Sequence, residues 1–382
     1  MTVAYDLDRL RRDEFPWAAA GEAIYLNAAS TGPLPERTLR AQADFSRKRA
    51  APFRLSHEEQ FAVLDECRGR AAAMIGAEES AIALAVNTGA GINLAAWGLP
   101  LGDGDVVVVP DLEFPANVYP WMAGARARGY EVHIVPARDG LLDEDAVLEA
   151  LDAPGVRVLA LSWVGFATGF VADLARVSEA CRASGVWLVV DAIQGVGAAP
   201  LDVRRTQIDL LACGGQKWLL SPWGTGFTYV HPELLDAIDP QPVSWMGVRG
   251  SDDFSALVEY DLTWREGARR FEQITVPYQD FAGMAASLGL IHELGMEAVT
   301  AHVAARVEEL AVGAERAGVE VVTPAGRRAG IVTIRPRDVQ ATSARMRDAR
   351  VIHSVREGTI RLSPHCYTTS DEITLAIDTL AR

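Results

Sequence analysis

The residues with most chemistry to offer lie between Gly185 and Val230: Asp191 at the end of one apolar run, and Lys217 shortly after another. A lysine attacks a carbonyl only after losing its proton, and burial beside positive charge lowers its pKa enough for that near neutral pH. Lys217 has such a setting. Gly214 and Gly215 allow a tight backbone turn before it, and Trp218-Leu219-Leu220 form an apolar wall behind it. Runs 186–190, 208–213 and 226–230 lack polar alternation apart from Asp209, the pattern of strands buried on both faces. Taken singly, neither residue is diagnostic, because a strand-terminal aspartate also caps helices and a lysine beside tryptophan also packs its stem on a surface.

As a pair they meet the two demands of pyridoxal phosphate (PLP) chemistry. These are a lysine that bonds the cofactor's aldehyde and an anion that keeps the pyridine nitrogen protonated, so that the ring withdraws electrons. The surrounding residues then carry a resemblance. Asp191-Ala-Ile-Gln194, Gly214-Gly-Gln-Lys217-Trp and Gly224-Thr-Gly226 are similar to the core of class V aminotransferases. That family of fold-type I PLP enzymes includes cysteine desulfurases, selenocysteine lyases and isopenicillin-N-epimerase-like proteins. The likeness runs from about residue 25 to the C-terminus. It implies an α/β fold: a large PLP-binding domain over 21–289 with a mainly parallel, helix-covered sheet, and a smaller α+β domain from 1–20 and 290–382. A dinucleotide loop is a weaker reading of Gly195-Val-Gly197, since the third glycine is missing and Ala199-Pro200 stands where a helix should open.

Further positions follow from loop chemistry and from the resemblance together. Asn87-Thr88-Gly89-Ala90-Gly91 joins a strand to a helix, and free N–H groups beside a hydroxyl make a phosphate cradle. Such loops are nonspecific alone; the resemblance makes Thr88, Gly89 and Ala90 the phosphate contacts. Phe114 aligns with the histidine that stacks on the cofactor ring in desulfurases, and a phenyl ring cannot move protons. Phe166 stands where many relatives place an asparagine on the phenolic oxygen, so either Thr168 substitutes or that hydrogen bond is missing. Gln194 matches the family glutamine that donates to the same oxygen, and Gln216 replaces a histidine phosphate ligand. Thr275 matches a threonine that reaches the neighbouring subunit's phosphate, which implies a homodimer with a shared active site. Tyr25 to Pro35, rich in small residues and a Gly-Pro turn, lets backbone approach a ligand, with Ala29 and Ser30 at the substrate carboxylate. Arg361, in a strand of the smaller lobe, is the carboxylate clamp that the family implies.

The elements that position these groups read as alternating strand and helix. Strands are expected at 81–86, 105–110, 130–135 and 156–161 besides the three above, with helices between them. Ligands of such sheets bind beyond the strands' carboxyl ends, where Thr88, Phe114, Asp191 and Lys217 fall. Helices are also expected within 1–22, with Arg11 on the wet side, across 35–75 with a break near Pro52, and after Pro277 with Phe281, Met284, Leu288 and Ile291 on one stripe. The smaller lobe adds strands at 319–322, 331–334 and 359–362 and a last helix over 370–381 capped by Ser370. With 382 residues, 49% of them hydrophobic, the chain can bury a large core and a second, smaller one. The net charge of −15 disfavours nucleic acid or an anionic membrane as partner. Four scattered cysteines without a CxxC pair suit reduced thiols, no apolar run approaches the ~20 residues of a membrane span, and a cytoplasmic enzyme without metal is expected.

The reaction is less sharply marked. Desulfurases that form an enzyme persulfide carry a cysteine on the loop before the substrate arginine, and here that segment, 351–358, has none. Cys366 follows the arginine instead. Transamination or β-elimination (a carbon-sulfur lyase) on a small amino acid is the leading expectation. An epimerase, a desulfurase lacking the usual cysteine, and a noncatalytic PLP-fold scaffold remain as alternatives.

Overall fold

The computed structural model describes residues 5–380; residues 1–4 and 381–382, at the outer ends of the first and last expected helices, lie outside it. Thirteen strands follow in chain order among the described residues. They are β1 (Ile24–Tyr25), β2 (Ile82–Leu84), β3 (Val106–Pro110), β4 (Glu131–Val135), β5 (Val156–Ser162), β6 (Trp187–Asp191), β7 (Leu210–Gly214), β8 (Gly226–Val230), β9 (Glu320–Val321), β10 (Val332–Arg335), β11 (Val351–Ile352), β12 (Ser354–Arg356) and β13 (Thr359–Leu362). Seven of these form the main sheet, in the order β2-β8-β7-β6-β5-β3-β4. The pairs among β7, β6, β5, β3 and β4 are parallel, whereas β8 runs antiparallel to both β7 and β2. No helix lies in the short link between β7 and β8, and a parallel crossover needs a longer connection, so β8 turns back.

The three runs read as doubly buried strands are β6, β7 and β8. Every residue of β7 and β8 is buried, as are four of the five in β6. Edge strand β4 is mostly exposed. Helices cover both faces, and separate apolar clusters form on each: Leu188, Val190 and Leu211 belong to one, Val189, Leu210 and Ala212 to the other. That alternation is the two-residue period of a strand acting on an unbroken apolar run. Helices Glu36–Arg49 and His57–Ile75 pack on Tyr278–Leu294, whose Phe281, Met284, Leu288 and Ile291 are fully buried. A four-stranded sheet, β12-β13-β10-β9, forms the smaller unit with helices Met296–Arg316, Val339–Asp348 and Ser370–Leu380. No described helix is long and apolar enough to cross a membrane.

Two local expectations are corrected. Arg11 is not on a wet face: its guanidinium pairs with Glu372 at 2.9 Å and donates to the Tyr367 carbonyl at 2.6 Å, tying the first helix to the last. The cap of that last helix is Thr369 rather than Ser370. The Thr369 hydroxyl accepts from the Glu372 N–H and the Glu372 carboxylate accepts from the Thr369 N–H, a reciprocal capping box.

Candidate active site

A cavity of about 400 Å³ lies beyond the carboxyl ends of β3, β5, β6 and β7, beside the start of helix Thr88–Gly98. Of the residues singled out above, Ala29, Ser30, Thr88, Gly89, Phe114, Phe166, Asp191, Gln194, Gln216, Lys217 and Arg361 line it. Ala90, Thr168 and Thr275 do not. The Ala90 N–H donates to the Asn87 side-chain oxygen at 2.9 Å, because Asn87 caps the helix. Thr88 and Gly89, in the same first turn, have no carbonyl within the helix to donate to and keep the anion-binding role open. Thr168 serves its own turn: its hydroxyl accepts from the Phe170 N–H at 3.2 Å. It stands outside the cavity lining, away from the place of the missing asparagine. Thr275 lines a separate cavity with Gln273 and Phe271.

Lys217 follows β7 in the loop that leads to β8. Its amine has no hydrogen bond or ion pair among the described residues and sits 5.9 Å from the centre of the Phe114 ring. Burial, reinforced by the charge of Arg361, holds its pKa down to about 8, with Asp191 opposing the shift. Asp191, 3% exposed, ends β6 and accepts one hydrogen bond, from the Ile193 N–H at 3.0 Å. Burial raises its pKa to about 6, against the pull of that N–H and of Lys217. Gln194 is held at both ends, accepting from the Trp218 indole at 2.8 Å and donating to the Ala29 carbonyl at 3.0 Å.

The Gly-Pro turn at Gly32 acts differently from its expected role. Its N–H donates to the Gln216 carbonyl at 2.8 Å, and a β-carbon there would stand 2.0 Å from the Lys217 carbonyl oxygen. The glycine admits the backbone of the lysine loop rather than a ligand. From the other side His365 supports the same loop. The Cys366 N–H donates to its Nδ1, so Nε2 carries the proton and donates to the Trp218 carbonyl at 3.1 Å. Burial keeps this imidazole neutral, its pKa pushed down to about 4.

Arg361, 2% exposed on β13, donates from Nη1 to the Phe166 carbonyl at 2.6 Å and from Nη2 to the Ser30 hydroxyl at 2.7 Å. Its Nε is buried with no partner, and no carboxylate pairs with it among the described residues. A buried cation in this state has a strong demand for an anion. The Phe114 and Phe166 rings meet edge to face, 5.3 Å apart. Sequence reasoning missed Asn87, Ala116, Ile193 and Arg356, all of which line the cavity. It also missed Glu113, whose carboxylate accepts from the Ser162 N–H at 2.6 Å and from the Asn117 amide at 3.0 Å. Those bonds fasten the Phe114 loop to the end of β5.

An unpartnered buried amine, a carboxylate facing the same space, open N–H groups at a helix start and an aromatic ring fit the demands of PLP. The fold and this site define a fold-type I PLP-dependent enzyme. The aminotransferase class-V model matches residues 24–375, and the chain belongs to that family. It is 30% identical to an uncharacterised aminotransferase, YcbU of Bacillus subtilis, over 82% of each chain. It is also 30% identical to isopenicillin N epimerase of Streptomyces clavuligerus, over 94% of each. Among solved structures, the cystine C-S lyase C-DES in complex with its product cysteine persulfide superimposes with a TM-score of 0.87 at 26% identity, covering 96% of this chain and 99% of that one.

Proposed function

We propose that the protein acts at the α-carbon of a small amino acid, with transamination or β-elimination as the outcome. The observation that carries this reading is the shared cavity of Lys217, an unpartnered amine with a lowered pKa, and Arg361, a buried guanidinium with an unsatisfied Nε. When bound, PLP supplies an electrophilic aldehyde and an electron-withdrawing ring. Arg361 grips the α-carboxylate, with Ser30 fixing the plane of its fork. Lys217 takes the α-proton and returns it, its amine being neutral in a useful fraction near pH 8. Asp191 would keep the ring nitrogen protonated, Thr88, Gly89 and Gln216 would hold the phosphate, and Phe114 would offer the ring an aromatic contact.

Among the described residues that line the cavity there is no cysteine or histidine. Cys366 is fully buried, and its thiol pKa is raised by that burial, which argues against an enzyme persulfide. The test is product analysis of the holoenzyme with a panel of amino acids. Keto acid, or ammonia with sulfide, is expected. Inverted stereochemistry as the sole change would overturn the reading in favour of an epimerase.

We further propose a homodimer that brings the partner's Thr275 to this cavity. Two features support it: Thr275 lies outside its own chain's cavity, and Phe53, Trp223, Val258, Tyr260 and Leu262 leave much apolar surface in water. Light scattering at micromolar concentration should give twice the 41.2 kDa chain mass; the chain mass itself would remove the dimer.

A further inference from the structure

We propose that Arg356 forms a second anion-binding position in the same cavity, and that the amino-acid substrate carries a carboxylate on its side chain. This rests on the reading of Arg361 as the α-carboxylate clamp. Strands β12 and β13 form an antiparallel hairpin in which Ser354 faces Arg361 and Arg356 faces Thr359. Glu357 and Gly358 make the two-residue turn, both with positive φ (42° and 70°), the conformation that joins strands of this twist. Side chains alternate along each strand, so Ser354, Arg356, Thr359 and Arg361 share one face of the hairpin. Arg356 and Arg361 are then diagonal neighbours, with Cβ atoms separated by about 7–8 Å or slightly less. Both line the cavity.

Like charges this close on one sheet face repel. Arg356 forms no ion pair among the described residues; its one hydrogen bond runs from Nη1 to the neighbouring Val355 carbonyl at 2.9 Å. Its charge also works against protonation of Lys217 and of Arg361. The cavity therefore holds three cationic side chains and one carboxylate, Asp191, in a chain of net charge −15. Arg361 already donates from Nη1 and Nη2 to protein oxygens, which leaves it capacity for one carboxylate. The Arg356 fork is free to meet another in two parallel bonds. The rest of the wall at Phe114, Ala116, Phe166 and Ile193 offers an acidic side chain only apolar side-chain surface.

The test titrates PLP-loaded enzyme with L-aspartate against L-asparagine and L-glutamate against L-glutamine. Apparent affinity is read from the change in the cofactor's visible absorbance. The wild-type protein is expected to bind at least one acidic member about tenfold or more tighter than its neutral isostere. Arg356→Gln should bring the ratio of acidic to neutral affinity down to about one, a ratio within one variant that cancels any general change in binding. Arg356→Lys should keep part of the preference. A preference that survives in Arg356→Gln, or equal loss in both variants, overturns the second position. So does a wild-type protein that responds to acidic and neutral ligands alike, an outcome that leaves the α-carbon reading intact. No response to any of the four overturns both.

Discussion

Lys217→Ala is expected to lower turnover by about a thousandfold or more, because in the proposed reaction one group supplies both the covalent hold on the cofactor and the proton transfer at the α-carbon. Borohydride treatment followed by mass spectrometry should fix PLP to the wild-type peptide that contains Lys217 and leave that peptide unmodified in the variant. Equal labelling of both proteins would place the bond on another lysine and defeat the assignment. The loss should not come from unfolding. The folded pKa of Lys217, about 8, lies below that of the free side chain. A depressed basic group contributes its full stability only above its unfolded pKa and loses it as pH falls through the folded value. At pH 7 the cofactor-free wild type thus bears the whole cost of a buried ammonium. Lys217→Met, which keeps the apolar stem, should melt no lower than the wild type there.

What could be read from the residues alone divides along a physical line. Strands β6, β7 and β8 showed as unbroken apolar runs because both faces of the sheet are covered, and burial on two faces removes the polar alternation that marks a surface strand. Asp191 and Lys217 were legible for the same reason: each stands within a few residues of such a run, so its place along the sheet's edge was fixed. Loops have no period to count by. Thr168 was placed by position in a loop, yet Gly165 and Phe170 close that loop on themselves and draw its hydroxyl into the turn. Gly32 was correctly marked as a point of close approach, but the identity of what approaches, the Lys217 carbonyl, depends on a contact between segments distant in the chain. Asn87 and Ala90 show competition within one turn: a side chain that caps the helix takes a donor that the phosphate would otherwise use.

Arg356 differs from these, because its signal was present. Glu357-Gly358 between two β-rich triplets is a hairpin turn, and the residue just before it, Arg356, shares a face with the third residue after it, Arg361. His365, by contrast, carried no local mark of its role. Only the fold brings it against the Trp218 carbonyl.

Asp191→Asn should separate activity from stability in a pH-dependent way. A neutral amide cannot hold a proton on the ring nitrogen, and turnover is expected to fall by roughly two to three orders of magnitude with weaker cofactor retention. The cofactor-free protein should respond in the opposite sense. Burial raises the folded pKa of Asp191 to about 6, above the value of an exposed aspartate near 4. For an acid shifted upward, the native state binds more protons than the unfolded chain between those values, so stability falls as pH rises through the window. Above pH 6 the wild type carries an ionised, almost fully buried carboxylate with one hydrogen bond, at a cost on the order of 2 to 3 kcal/mol. The asparagine keeps an oxygen for the Ile193 N–H and has no charge to desolvate. Melting temperatures of the two cofactor-free proteins should therefore diverge in favour of Asp191→Asn from pH 4 to pH 7. A difference that stays constant over that range would show that Asp191 is not held in the strained, solvent-excluded state that the coenzyme's ring nitrogen is proposed to relieve.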